Sequence, residues 1–172
     1  MRRVKLSVAS SLDGYLTGPD GAIDWIRMGS DFGMNAFMAS VDTTLVGRGT
    51  FEFVRASGMK LFLNMTNYVF SQSLPAGRID EVEIVGEDAA RFVRRLKAEE
   101  GKDLWLYGGG ALIGSMLRAR LVDDIVVTVH PVLVGGGVPL FGMLEERQDL
   151  ELVEAKALTN GVVLVKYRVG ES

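Results

Sequence analysis

DLWLYGGGALIGSML, residues 103–117, reads as a short apolar strand that runs into three glycines and then into an apolar helix. Glycine inside a regular element costs about 0.5–1 kcal/mol relative to alanine. Three in succession, Gly108, Gly109 and Gly110, therefore mark a backbone that turns sharply or lies against something. A helix N-terminus preceded by bare amides is a natural anion site. The stretch does not fit G-x-G-x-x-G, because Ile113 stands where the last glycine is required. Taken alone, it fits a tight strand-to-helix turn as well as a phosphate cradle.

The same arrangement recurs in LVGRGTFE, residues 45–52, where Gly47 ends a β-branched strand and Arg48 and Thr50 open the next helix. A guanidinium and a hydroxyl beside free helix amides suit a phosphate or pyrophosphate, although a surface arginine with Thr50 as N-cap gives the same pattern. Two such turns on one sheet would hold both ends of a dinucleotide pyrophosphate. A third strand, NYVFS (67–71), ends in Ser71 and Gln72, small polar groups that open a turn or reach the adenosine side of a nucleotide.

Further out, VKLSVAS begins the chain's strands, and Asp13, Gly14, Gly18, Pro19 and Gly21 mark a long loop after it. Met34, Phe37, Met38 and Val41 fall at helical spacing, as do Ala89, Phe92, Val93 and Leu96, whose helix is expected to close on Gly101 as C-cap. EVEIVG (81–86) and DIVVTVHPVLV read as strands, and the tail forms two strand patterns around Asn160-Gly161, a strong hairpin signal. Strands alternating with helices and closed by a hairpin predict an α/β domain over 1–172, with a mainly parallel sheet and a mixed edge. Ligands of such sheets bind beyond the strand C-terminal ends. There the loops after Ser10, Val46, Phe70 and Tyr107 would meet.

The chain has 172 residues, 48% hydrophobic and 24% charged, with a formal charge of −3 and dispersed basic residues, which argues against nucleic acid as the main partner. It has no cysteine and one histidine, His130, so a disulfide framework, a thiol nucleophile and a multi-histidine metal site are excluded within one chain. His130, in an apolar strand before Pro131, reads as structural. The basic start, MRRVKLSVASSLDG, is broken by serines and too short for a signal peptide, and no run approaches a membrane span; the expectation is a soluble, cytoplasmic protein without membrane partner. Asp31 stands just before the first helix, either as its N-cap or as a buried carboxylate that pairs with the ring nitrogens of a heterocycle. Asp13, in a turn setting, would hold the loop, and Asp24 is a further alternative.

The ordered set ASSLDGYLTG, LVGRGTFE, YVFSQSL, LWLYGGGALIGSML and TVHPVLVGGGVPLF resembles the dihydrofolate-reductase-like superfamily over residues 4 to about 168. In particular it resembles the reductase domain of riboflavin-biosynthesis deaminase/reductases and its stand-alone relatives. The resemblance implies a three-layer fold and NADPH across the C-terminal edge of the sheet. Ala9 and Leu16 would contact the nicotinamide through backbone groups; Gly47, Arg48 and Thr50 would bind phosphates, with Ser71 and Gln72 near the adenosine. Tyr107, Gly108, Gly109, Gly110, Ala111 and Leu112 would wrap the pyrophosphate. Asp31, sixteen residues before Gly47, has the spacing of the substrate carboxylate in dihydrofolate reductases, and Thr128 would lie beside it.

Two departures concern the substrate. The proline-tryptophan pair of the folate enzymes is replaced by GPDGAIDWI, and the segment by which riboflavin reductases hold the ribose phosphate is missing, GRGTFEFV leading directly to RASGMKLF. The expectation is an NADPH-dependent reductase of a C=N or C=O bond in a pyrimidine or pteridine. By family likeness, reduction of 5-amino-6-(5-phosphoribosylamino)uracil comes first and reduction of 7,8-dihydrofolate second. A non-catalytic nucleotide- or pterin-binding protein is the alternative of another class. The closing hairpin and the VHPVLVGGGVPLF segment would suit a homodimer edge.

Overall fold

A computed structural model of the chain describes residues 1–28 and 33–170. Its elements are β1 (Val4–Ser11), α1 (Met34–Ser40), β2 (Val41–Gly47), α2 (Arg48–Ala56), β3 (Thr66–Phe70), β4 (Gly77–Ile79), β5 (Val82–Val85), α3 (Ala89–Ala98), β6 (Asp103–Gly108), α4 (Gly110–Arg118), β7 (Asp124–His130), β8 (Leu150–Ala157) and β9 (Val163–Val169). Among the described residues the strands form one sheet in the order β4-β5-β3-β2-β6-β1-β7-β9-β8. From β5 to β7 all neighbours are parallel, while β4 and the β8–β9 hairpin pair antiparallel at the two edges.

β6 sits at the centre because Leu104 and Leu106 are fully buried on one face, beside Val4 and Leu6 of β1 and Leu45 of β2. Ile113, Met116 and Leu117 of α4 and Val93 and Leu96 of α3 cover that face. On the other face Phe51 and Val54 of α2 pack on Val46, Val69 and Ile84. Burying each large apolar side chain contributes about 1.5–3 kcal/mol, so these two layers hold the strands in place and bring their C-terminal ends to one line.

Three local readings of the sequence are corrected, and one strand is added to them. Val41 is not the last turn of α1 but the first residue of β2, buried and in register with Asp103; its helical spacing is coincidental with an inward strand position. The seventh strand stops at His130 rather than running to Val134, because Pro131 offers no N–H to a ladder and the Val132 N–H turns back to the His130 carbonyl at 2.8 Å. Helix α3 is capped by Glu99, not by Gly101. Gly101 lies beyond it at φ +146°, where a Cβ would stand 3.0 Å from the Arg2 guanidinium carbon, and so makes room for the Arg2–Asp42 ion pair. Finally, β4, a three-residue edge strand, is too short to carry an alternating pattern in the sequence.

Candidate active site

The first feature of the site is backbone against backbone. β2 and β6 are neighbours, and a Cβ on Gly47 would stand 3.3 Å from the Gly108 carbonyl oxygen and 3.4 Å from the Gly109 Cα. A Cβ on Gly109, at φ +99°, would stand 3.2 Å from the Gly47 Cα and 3.4 Å from Thr50 Oγ1. Two strand-to-helix turns thus meet without side chains between them. The helices they open, α2 after Gly47 and α4 after Gly109, have no side-chain cap at the N-terminus. Their first amides are orphan donors beside the positive ends of two helix dipoles. Ala111 is exposed on the first turn of α4, and Leu112 is buried beneath the turn.

Arg48 extends the site towards β3. Its Nη1 donates to Ser73 Oγ at 2.6 Å, and its Nε lies 3.6 Å from Glu52 Oε1. Ser71 is buried, and its hydroxyl accepts from the Leu74 N–H at 3.0 Å and lies 3.4 Å from Ser73 Oγ. Gln72, by contrast, is exposed and takes no part in this chain of contacts. Ser73 is therefore the partner that sequence reasoning missed; the signal was available in S-x-S following a strand end, since the turn points alternate side chains back to one side.

Towards the other end of the line, Ala9 of β1 is in register with Thr128 of β7, and Lys5 with Trp105 of β6. By the two-residue period of a strand, Ala9, Thr128, Trp105 and Tyr107 look out on one face. Trp105 and Tyr107 stack edge-on at 4.9 Å, with Phe62 at 4.8 Å from Trp105 and Phe37 of α1 at 5.1 Å. The result is an apolar wall beside small and hydroxyl-bearing residues, suited to a flat ring. Burial pushes the Tyr107 phenol above its ordinary pKa, so it remains neutral. Asp31 lies outside the described residues.

The loop after β1 is zipped to the segment 131–142. The Leu12 N–H donates to Val132, the Leu16 N–H to Val138 at 2.7 Å, and the Leu140 N–H returns to Gly14 at 2.8 Å. Asp13 holds this junction, as its turn setting predicted: its carboxylate accepts from the Gly135 N–H at 2.8 Å and the Val134 N–H at 3.2 Å. A hydrogen bond from the Ser11 side chain, with those two amides, holds its carboxyl below the ordinary value. Gly137 passes so close that a Cβ there would lie 2.0 Å from the Thr17 carbonyl oxygen. Leu16 is thereby fixed next to the strand ends. His130, read as structural, is 1% exposed and carries more than packing: it accepts the Arg27 N–H on Nδ1 at 3.1 Å, and Trp25 meets its ring edge-on at 5.6 Å.

A polar cleft of about 560 Å³ opens at the opposite end of the sheet, between Arg2, Asp42, Asn64, Tyr68 and Glu99. Its one buried cation, Arg2, is committed to Asp42, Thr43 and the Lys102 carbonyl, so this cleft is held by structural contacts. Among the described residues no group of histidine, cysteine, aspartate and glutamate side chains has the placing of a metal site, and no helix is long and apolar enough to cross a membrane.

A mainly parallel sheet with glycine turns at neighbouring strand ends and an antiparallel C-terminal hairpin is a dihydrofolate-reductase-like α/β fold. The chain belongs to the RibD C-terminal domain family, whose sequence model matches residues 2–164. It is 34% identical over 179 residues to YyaP of Bacillus subtilis (strain 168), covering 96% of this chain and 94% of YyaP. The fold superposes on a candidate riboflavin biosynthesis protein from Shewanella sp. PV-4 with a TM-score of 0.86 and 28% identity, over 99% of this chain and 100% of that one. The dihydrofolate reductase of Enterococcus faecalis, solved with NADP(H), superposes with a TM-score of 0.68 at 14% identity, over 98% of this chain and 97% of that one, a likeness of fold.

Proposed function

We propose that the protein is an NADPH-dependent reductase of a small heterocycle, a pyrimidine or a pteridine. The observation that carries this reading is the paired turn: Gly47 and Gly108–Gly109 approach so closely that a Cβ on Gly47 or Gly109 would intrude, between two uncapped helix N-termini with Arg48 alongside. That donor set fits a pyrophosphate flanked by a further phosphate. The ends of β3, β2, β6, β1 and β7 span roughly 19 Å at the usual strand spacing of about 4.8 Å, room for an extended dinucleotide. Along that line Ser71, Ser73 and Gln72 would face the adenosine, and Gly47, Arg48, Thr50 and Gly108–Leu112 the phosphates. Ala9 and Leu16 would border the nicotinamide, which supplies hydride when the cofactor is bound.

The chain's own residues bind, orient and exclude water. The Phe37–Trp105–Tyr107 wall would take the flat ring of the substrate, and Thr128 would offer a hydroxyl at its edge. Asp31 would bind and polarise the substrate as its carboxylate. Family membership favours the pyrimidine reduction of riboflavin biosynthesis over dihydrofolate reduction.

We further propose that the protein works in the cytoplasm as a homodimer built on the edge strand β8, every residue of which is exposed. Leu150, Leu152, Ala155 and Ala157 share one face, opposite Val169, Tyr167, Val165 and Val163, while Glu151, Glu154 and Lys156 share the other. Antiparallel pairing with a second copy about a twofold between Val153 and Glu154 sets Glu151 opposite Lys156 twice and Leu152 opposite Ala155, keeping like faces together.

A fluorescence titration with NADPH and with NADH tests the cofactor reading. Wild type is expected to bind NADPH below millimolar, and Arg48→Ala to weaken it about tenfold or more, the scale of one charge-assisted hydrogen bond. Failure of both nucleotides to bind would sink it.

A further inference from the structure

We propose that His130 is a positioning residue that uses both ring nitrogens at once, locking the end of the first loop and turning the Thr128 hydroxyl into a donor towards the substrate. The backbone N–H of Arg27 points at Nδ1 from 3.1 Å. Nδ1 must therefore carry a lone pair, and a neutral ring must carry its proton on Nε2. Nε2 faces Thr128 Oγ1 at 3.5 Å. The Thr128 oxygen thus receives, and its own proton turns away from the histidine. Among the described residues that hydroxyl has no other partner. Its position beside Ala9, on the face shared with Tyr107, aims it at the place proposed for the substrate ring. It would offer that proton to an acceptor there, a carbonyl oxygen or an unprotonated ring nitrogen, while one lone pair of the oxygen stays open.

The lock has a second fastening. The Arg27 guanidinium donates to the Asn160 carbonyl at 2.7 Å, tying the same loop end to the turn between β8 and β9. His130 is thus the buried point where the first loop, the end of β7 and the C-terminal hairpin converge. Trp25, Thr128 and Arg27 meet its ring and buried Ser11 stands in register beside it on β1, and of these four only Arg27 is charged. Burial, with the Arg27 charge as a lesser contribution, lowers the histidine pKa from the ordinary 6.5 and keeps the neutral form that the arrangement needs. Protonation would remove the acceptor from the Arg27 N–H, so acidification frees the loop end.

His130 is the chain's only histidine, which makes the test direct. A long-range ¹H–¹⁵N spectrum of the histidine ring in the unliganded protein is expected to show the Nε2–H tautomer, titrating below 6.5. His130→Asn keeps an acceptor near Nδ1, and His130→Gln moves it away. Amide exchange of Arg27 should stay as in wild type in the first and quicken about tenfold in the second, one hydrogen bond's worth. An Nδ1–H tautomer, or Arg27 exchange equal in both variants and wild type, would overturn the proposal. NADPH titrations from pH 7.5 to 5.5 then add the ligand. The part due to His130 is the difference between wild type and His130→Asn, because the titration of the nucleotide's own phosphate cancels. The substrate-side role rests on the reductase reading, but the tautomer and the Arg27 exchange do not. If NADPH fails to bind wild type at all, the reductase reading falls while those two measurements still decide the lock.

Discussion

The contact between the first loop and the segment 131–142 can be broken at one atom. Adding a methyl at Gly137 places a Cβ 2.0 Å from the Thr17 carbonyl oxygen and 2.6 Å from that of Gly18, backbone atoms that cannot rotate aside. One of the two loop segments must retreat by more than 1 Å to reach the ordinary contact distance of about 3.4 Å. That retreat takes the Leu16 N–H away from Val138 and the Leu140 N–H away from Gly14, bonds now at 2.7 and 2.8 Å. At about 1 kcal/mol for each, plus about 1–2 kcal/mol for an L-residue at φ +120°, Gly137→Ala should cost about 3 kcal/mol. For a chain of this size that lowers Tm by roughly 6–12 °C. Gly135→Ala is the matched control: its φ is +75°, but a Cβ there meets nothing within 4 Å, so only the backbone strain of about 1 kcal/mol applies. Calorimetry gives the two costs, and amide exchange at Leu16 reports the loop itself. Equal Tm shifts for the two variants, or Leu16 protection unchanged in Gly137→Ala, would refute the claim that this close approach fixes the loop.

Lys156→Glu should turn a β8-edge dimer into monomer by setting Glu151 against a like charge, and adding Glu151→Lys should restore it; sedentation of all three proteins at micromolar concentration decides, and a wild type that is monomeric there ends the β8 proposal. Stability should depend on pH through His130 with a definite sign. Because its native pKa lies below the unfolded 6.5, the unfolded chain binds the proton first; its contribution is therefore intact above 6.5 and is lost as pH falls below that value. Chemical denaturation between pH 7.5 and 5.5 isolates it, since carboxylates titrate near 4, and a flat curve there would count against a buried neutral ring. Ser73→Ala should weaken NADPH binding less than Arg48→Ala does, because it removes only the hydroxyl that steadies the guanidinium at 2.6 Å; the reverse order in a titration would move the anion site towards β3.

The parts of this molecule that could be read from the chain are those in which one residue type answers one local demand. Gly108, Gly109 and Gly110 interrupt an apolar run where no regular element wants glycine, and the structure has there the turn that meets Gly47. Asn160-Gly161 announces its hairpin for the same reason, with Gly161 at φ +82°. What stayed hidden depends on residues distant in sequence. Val41 looks helical until Asp103 stands beside it as a strand partner. Ser73 matters only once Arg48, 25 residues earlier, leans onto it. His130 stands apart from an ordinary core histidine once the Arg27 amide, 103 positions away along the chain, donates to it.

That last case carries a consequence for the site. A buried imidazole with one satisfied nitrogen has a fixed tautomer, and a fixed tautomer dictates what its other neighbour can offer. Thr128 would be ambivalent as a lone threonine, able to give or to take a hydrogen bond. With Nε2–H behind it, the hydroxyl keeps its proton for an acceptor in front, because the histidine takes none. The direction of the Thr128 proton at this edge is then set one layer behind the residue that touches the ligand. The same imidazole anchors the loop that carries Leu16 past the strand ends, so any change at His130 alters the Thr128 hydroxyl and the loop together. Thr128→Val separates them: it removes the donor but leaves Arg27 its acceptor, so amide exchange at Arg27 should stay as in wild type. If exchange at Arg27 rises with Thr128→Val, the two functions of the histidine are not separable and the donor assignment loses its basis.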